Sequence, residues 1–110
     1  MANPTGRGKL ALTTTAADVF TVPAGKVRKI ISVQVCNVDG ADPVDVTVQW
    51  TDAGDTDAVT RLTYLVEVSA KDSKTMLTGG FSLTAGDKLQ ALASADGDAE
   101  LSVHYYDEDA

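Results

Sequence analysis

Apolar and polar residues alternate through almost the whole chain, from Lys9 to Tyr106, and turn-forming clusters interrupt the alternation about every eight to twelve residues. Successive side chains of a β-strand point to opposite faces, so a period of two predicts strands that each bury one side. No stretch keeps the period of a helix. The chain is therefore predicted to be an all-β domain of about nine short strands.

Short strands joined by turns cover their apolar faces most readily when two antiparallel sheets stack on each other. This predicts an antiparallel two-sheet β-sandwich, jelly-roll-like in type. The run from Lys26 to Val38 carries apolar residues on both faces, which is typical of a central strand. The predicted core consists of Leu10, Leu12, Val27, Ile31, Val33, Val46, Val48, Leu62, Val66, Leu83, Leu89, Leu101 and Val103.

Three local features extend this prediction. Gly79-Gly80 is expected to be a turn between two short strands, 74–77 and 81–83. Trp50 continues the apolar face of its strand and should point into the core. Cys36 lies inside a strand pattern, where a buried or half-buried thiol is expected, and as the sole cysteine it cannot form an internal disulfide.

The length of 110 residues fits one domain with a real core. Residues 9–106 carry the strand pattern and are predicted to form the sandwich. Residues 1–8 are polar and rich in glycine and proline, which predicts a flexible N-terminal arm. Residues 107–110 are predicted to be an acidic tail that stays in solvent.

The charge balance excludes several classes of partner. Sixteen acidic against nine basic residues give a formal net charge of −7, which repels nucleic-acid phosphates and anionic membrane surfaces. No apolar run approaches the roughly 20 residues of a membrane span, and the first residues lack the apolar core of a signal peptide. We therefore expect no direct nucleic-acid binding, no membrane association and synthesis in a cytoplasm.

Few residues have the type and spacing of a catalytic or metal-binding site. His104 is the sole histidine, and no nucleophile motif accompanies it, so a surface or subunit-contact role is favoured over catalysis. Asp52, Asp55 and Asp57 share one loop and are the candidate ligands for a hard cation such as Ca²⁺. Their spacing does not match an EF-hand, so a solvated turn is the preferred interpretation. The sequence predicts a protein that is not an enzyme and needs no cofactor.

Contacts with a partner are assigned to the arm and to the last strand. The arm could reach a neighbour, which makes Asn3, Pro4 and Arg7 candidate contact residues. Tyr105 and Tyr106 follow each other in one strand and must point to opposite faces. Tyr106 is the predicted surface contact of the two.

Three segments resemble small virion proteins of tailed phages and phage-derived particles. The first is Phe20–Lys26, with its Val-Pro-Ala-Gly turn, leading into Ile30–Asn37. The others are Thr63–Val66 and the Leu-x-x-Gly-Asp-x-Leu turn within Leu83–Ala91. The resemblance implies a β-sandwich subunit on the outside of a head, at the base of a head fibre or spike, or on a tail part. It carries over no functional residues.

From this resemblance we expect a capsid decoration or cementing subunit on the exterior of a phage head. Its partners would be the major capsid protein or other virion proteins, and it would form a homo-oligomer, with a trimer favoured. Deleting residues 1–8 should weaken particle binding and leave the fold intact. The alternatives are a head-spike or fibre base, a tail or baseplate accessory, and a carbohydrate-binding sandwich that uses Trp50 or the tyrosines.

Overall fold

The computed structural model describes residues 5–110, which form eight strands and one turn of 3-10 helix at Ala53–Asp55. The strands are β1 (Thr5–Ala11), β2 (Ala17–Thr21), β3 (Lys26–Asn37), β4 (Val44–Asp52), β5 (Ala58–Val68), β6 (Ser73–Thr84), β7 (Lys88–Ala93) and β8 (Ala99–Asp109). Most of their residues lie where the sequence alternates, because an alternating strand can bury one face and leave the other to solvent. The start of β1 and the end of β8 lie outside the alternating stretch.

The strands form two four-stranded antiparallel sheets. Sheet I has the order β1-β8-β3-β6, and sheet II has the order β2-β7-β4-β5. The first strand pairs with the last, the second with the seventh, the third with the sixth and the fourth with the fifth. This is a long hairpin folded over into two sheets, the topology of a jelly roll. The predicted fold class is confirmed.

The core fills the space between the sheets. Its largest fully buried side chains are Leu12, Val22, Val33, Val35, Val44, Val46, Val48, Val68, Leu83, Leu89, Leu101 and Val103. Of the predicted core, Leu12, Val33, Val46, Val48, Leu83, Leu89, Leu101 and Val103 are buried, and Leu10, Val27, Leu62 and Val66 are partly buried. The prediction that Ile31 lies in the core is wrong, because the residue is 37% exposed.

A β-bulge explains the exposure of Ile31. The inward side chains of β3 are Arg28 and Ile30 before the bulge and Val33 after it, so the inward positions change from even to odd numbers. The ladders of β3 with both β6 and β8 shift register between Ile30 and Ser32. One extra residue in a strand turns the following side chains to the other face.

The glycine pair opposite this bulge is not a turn. Gly79 and Gly80 have φ angles of 64° and 71° and lie inside one continuous strand, β6. Residues with positive φ are common in bulges, and glycine adopts them without a steric cost. The two short strands predicted here are therefore one, which reduces the count from about nine to eight.

Both predicted ends of the domain need correction. Thr5–Ala11 pair with β8 in unbroken register, so the predicted arm is part of a sheet from Thr5 onward. Because deletion of residues 1–8 would remove paired residues of β1, we expect it to destabilise the fold. At the other end, Asp107–Asp109 extend β8 and pair with Lys26–Arg28, so these acids are not a free tail. Asn3 and Pro4 lie outside the described residues.

Glycine in β1 allows the side chains of β8 to pack closely against the backbone of β1. A Cβ atom added at Gly6 would lie 2.6 Å from Cζ of the Tyr105 ring. We expect Gly6→Ala to lower the free energy of unfolding by about 1–3 kcal/mol, because the rigid ring or β1 must move. Urea denaturation measures this. Gly40→Ala is the control, since the nearest atom there is a lysine side-chain carbon at 3.8 Å; equal effects would contradict the close contact.

Candidate interaction surface

The outward face of sheet I presents six polar side chains in two rows across three strands. One row is Arg7, His104 and Ser32, which the register places side by side on β1, β8 and β3. The neighbouring row is Lys9, Ser102 and Gln34 on the same strands. Together these rows line a shallow groove, and we call the six residues the polar grid. Adjacent strands lie about 4.8 Å apart, so one extended ligand could touch all three.

The polar grid is basic in an acidic protein. Arg7, Lys9 and His104 are exposed, and the grid contains no carboxylate. Among residues 5–110, no ion pair involves Arg7 or Lys9. Glu100 borders the grid one row further on, opposite Ala11. The grid is therefore a local positive patch on a chain whose net charge is −7.

The row that contains Glu100 also corrects an expectation about the cysteine. Cys36 lies opposite Glu100 on β3 and is exposed, although a buried or half-buried thiol was predicted. The bulge before Val33 explains this as well, because it turns Val33 and Val35 inward and so places Cys36 outward.

Tyr106 continues the grid at its other end. It alternates with Ser102 and His104 on the outward face of β8 and is half-buried. It lines a second depression together with Lys29, Ile31 and the bulge glycines. The structure thus brings two predicted contact residues, Arg7 and Tyr106, to one face of one sheet. Their role in binding stays a prediction.

A nearly buried ion pair anchors the strand that carries Tyr106. Arg28 Nε donates to Asp107 Oδ1 at 2.7 Å, and Arg28 Nη2 donates to Asp107 Oδ2 at 2.9 Å. The two side chains are 9% and 15% exposed. The Arg28 guanidinium also lies 3.8 Å from the ring centroid of Tyr105 and 4.7 Å from that of Phe20. These contacts join β2, β3 and β8 at one end of the sandwich.

The ion pair shifts the ionisation of both partners. Hydrogen bonds from Arg28 hold the pKa of Asp107 below its usual value. The same hydrogen bonds raise the pKa of Arg28. The sequence does not reveal this pair, because Asp107 belongs to an acidic run and Arg28 stands on a strand face with other polar residues. Only the pairing of β3 with β8 brings them together.

A buried carboxylate joins the loops at the same end of the sandwich. Asp87 is 3% exposed, and its Oδ1 accepts from the amide of Ala53 at 2.8 Å. Its Oδ2 accepts from the amide and the hydroxyl of Thr84, at 2.9 and 3.1 Å. The backbone of Val22 exchanges hydrogen bonds with Gly86 and Asp87. The Gly-Asp turn and the turn after Val22, both part of the sequence resemblance, therefore stabilise each other.

Of the three candidate metal ligands, Asp52 uses its carboxylate to bind the backbone. Asp52 Oδ1 accepts from the amide of Gly54 at 3.0 Å and caps the 3-10 turn. The amide of Asp57 donates to the carbonyl of Asp52, and Asp55 and Asp57 are exposed. Within residues 5–110, no group of three or more His, Cys, Asp or Glu side chains could hold a metal ion. The structure does not bring the three aspartates together as a site.

The aromatic residues divide between core and surface. Trp50 packs against the core, with its ring edge-on to Phe81 at a centroid distance of 5.6 Å, as its alternation predicted. Tyr64 is 63% exposed on β5, with the Arg61 guanidinium 5.5 Å from its ring. Trp50 is therefore half-buried against the core, whereas the ring of Tyr64 is exposed to solvent. None of the helical segments in residues 5–110 is long and apolar enough to cross a membrane.

No protein-family model and no curated protein matches this sequence. Solved structures do match. A subunit of Bacillus endospore appendages, described as disulfide-linked pili, is similar over 98% of this chain and 87% of its own, with 16% identity and a TM-score of 0.59. A chain in the capsid of Helicobacter pylori bacteriophage KHP30 is similar over 100% and 95%, with 13% identity and a TM-score of 0.56.

A third similarity is to a larger protein. A chain of the T13 IBDV viral particle matches 94% of this chain with 7% identity and a TM-score of 0.58, and the match spans 30% of that viral chain. At such low identities these comparisons show a shared fold. The fold is a jelly roll of the kind found in these viral and pilus assemblies.

Proposed function

We propose that this chain is a non-enzymatic structural protein of a virion, and more specifically a decoration or cementing subunit on the exterior of a tailed-phage head. One observation carries the proposal. The KHP30 capsid contains a chain of nearly the same length with the same fold, matched over 100% of this chain and 95% of that one. The sequence resemblance to small virion proteins of tailed phages supports the same role.

The mechanism follows from many weak contacts made at once. The subunit would form a homo-oligomer, with a trimer favoured, and bind the major capsid protein or other virion proteins. When several copies bridge neighbouring capsid subunits, the weak contacts of each subunit together give a high overall affinity. Asn3, Pro4, Arg7 and Tyr106 are the proposed contact residues. Arg7 and Tyr106 support this role because both lie on the outward face of sheet I.

A carbohydrate-binding sandwich is the second candidate. The observation that favours it is the exposed ring of Tyr64 on the other sheet, since sugars stack on exposed aromatic faces. A spike base or a tail accessory would use the same assembly mechanism as decoration, at another place in the virion. A tail accessory and a glycan module differ from decoration in what they bind, so assays of head binding and glycan binding separate them from it.

The experiment is sedimentation of the purified protein, alone and with heads assembled without it. We expect a discrete oligomer that co-sediments with heads. Truncation of Tyr106 to Ala should lower its affinity for heads about tenfold or more, as for an aromatic contact of about 1.4 kcal/mol. Tyr64→Ala is the matched control and should bind heads normally.

Each other outcome has a definite meaning. A monomer that ignores heads contradicts decoration and favours a tail accessory or a glycan-binding module. Loss of glycan-array binding in Tyr64→Ala would select the glycan module. Deletion of residues 1–4 tests Asn3 and Pro4, and unchanged occupancy on heads would reject them as contacts. Circular dichroism of each variant verifies that the fold is kept.

A further inference from the structure

The edge formed by β1 differs from the other three edges of the sandwich. Sheet I ends in β1 and β6, and sheet II ends in β2 and β5. The ladders that join β2, β5 and β6 to their neighbours each contain a register shift, whereas β1 pairs with β8 without one. Bulges twist an edge strand and hinder the addition of another strand. Within residues 5–110, no strand covers the outer edge of β1.

The charges on this edge have the period of a strand. Arg7 and Lys9 are exposed and point outward on the same face of β1. Side chains two residues apart on a strand are about 6.7 Å apart. An extended peptide with carboxylates at alternate positions has the same spacing, so a strand paired with β1 would place its acids beside Arg7 and Lys9. His104, in the row of Arg7, adds a hydrogen-bonding group.

We propose that the free edge of β1 binds an extended acidic segment of a partner protein by adding it to sheet I as a fifth strand, with its carboxylates on Arg7 and Lys9. This deepens the proposed function and rests on it, because the partner segment would belong to another virion protein. Backbone hydrogen bonds supply affinity in such strand addition, and the alternating charges supply specificity.

The same charges disfavour two other occupants. A second copy paired through β1 would bring Arg7 and Lys9 of both copies together, and like charges facing each other across strands are destabilising. A nucleic acid would meet a chain with a net charge of −7. An acidic strand avoids the first penalty. It offsets the second by pairing its backbone with β1, which a nucleic acid cannot do.

The test uses a fluorescein-labelled short peptide that alternates glutamate with threonine and valine. Its binding to the full chain is measured by fluorescence anisotropy at low and at physiological salt. The variant is Arg7→Glu with Lys9→Glu, and the matched control is Arg61→Glu with Lys71→Glu. Arg61 and Lys71 are exposed and lie on β5 and in a loop, so both double variants change the net charge equally.

We expect the Arg7/Lys9 variant to bind the peptide at least tenfold more weakly and the control to bind as the unmodified chain does. A peptide N-methylated at alternate residues should not bind, because it cannot pair with a strand. Hydrogen exchange of the β1 amides should slow when the unmodified peptide is added.

Four results would overturn the inference: no peptide binding, equal weakening in both charge variants, equal binding of the N-methylated peptide, or tighter binding of a sulfated polysaccharide than of the peptide. The peptide assay contains no heads, so its failure leaves the decoration proposal standing if heads still co-sediment. Peptide binding without head binding would instead reject decoration and keep the strand-addition site.

Discussion

Replacing Asp107 by asparagine should lower the free energy of unfolding by about 3 kcal/mol, the lower end of the range for breaking a buried ion pair. The guanidinium of Arg28 would keep its place between Phe20 and Tyr105 without the carboxylate that now binds it through two hydrogen bonds. A charge left in that position has lost its partner and is largely shielded from water. Urea denaturation at neutral pH measures the change.

The control for this variant lies two residues further along β8. Asp109 pairs with Lys26 at 2.6 Å, but its side chain is 87% exposed. Exposed pairs contribute about 1 kcal/mol or less, so Asp109→Asn should change stability little. The double variant Arg28→Met with Asp107→Leu should recover part of the loss, because it removes both charges together. If the two asparagine variants behave alike, the Arg28–Asp107 pair does not anchor the strand.

The same pair gives stability a definite dependence on pH. The pKa of Asp107 is lowered in the folded state, so its contribution is complete above the unfolded value of about 3.9 and is lost as the pH falls below it. The difference in free energy of unfolding between the unmodified chain and Asp107→Asn should therefore be constant from neutral pH down to about pH 5. Below about pH 4 the difference should disappear. A gap that persists at low pH would assign the effect to packing.

The period of two in the sequence was enough to predict the sheets, because burial on one face is a local property of each strand. Val46 and Val48 alternate with polar residues and are fully buried. Ile31 could not be placed in this way. Its orientation depends on a bulge whose glycines lie on another strand, Gly79 and Gly80, and no pattern within β3 reveals that partner.

The ends of the chain are hard to predict for a similar reason. Gly6 suggests flexibility when only its neighbours are considered, yet the Tyr105 ring occupies the space that a side chain would need. The candidate surface contains residues that local patterns predict and residues that only strand pairing brings together. Composition and alternation indicate Arg7 and Tyr106, whereas Lys9, His104 and Gln34 become neighbours only through the order β1-β8-β3. Strand order arises from long-range pairing, which local patterns do not encode.

The largest effect outside the ion pair is expected at Asp87, where Asp87→Asn should cost about 2–4 kcal/mol. Both carboxylate oxygens accept hydrogen bonds, one from the Ala53 amide and the other from Thr84. An asparagine has one oxygen and one NH₂ group, so a donor would face a donor whichever way the side chain turns. A buried amide left without its acceptor loses about 1–3 kcal/mol, and bonds to a charged acceptor are stronger still.

Asp96 provides the matched control for Asp87→Asn. Its Oδ1 accepts a single hydrogen bond, from the Thr14 amide at 2.8 Å, and the residue is exposed. Asparagine can keep that bond with its own oxygen, so Asp96→Asn should cost less than about 0.5 kcal/mol. Hydrogen exchange at the amides of Ala53 and Thr84 should accelerate in Asp87→Asn, because these groups lose their acceptor. If the two variants lose equal stability, the loops at this end of the sandwich are joined by their backbone hydrogen bonds, and the carboxylate of Asp87 adds nothing to them.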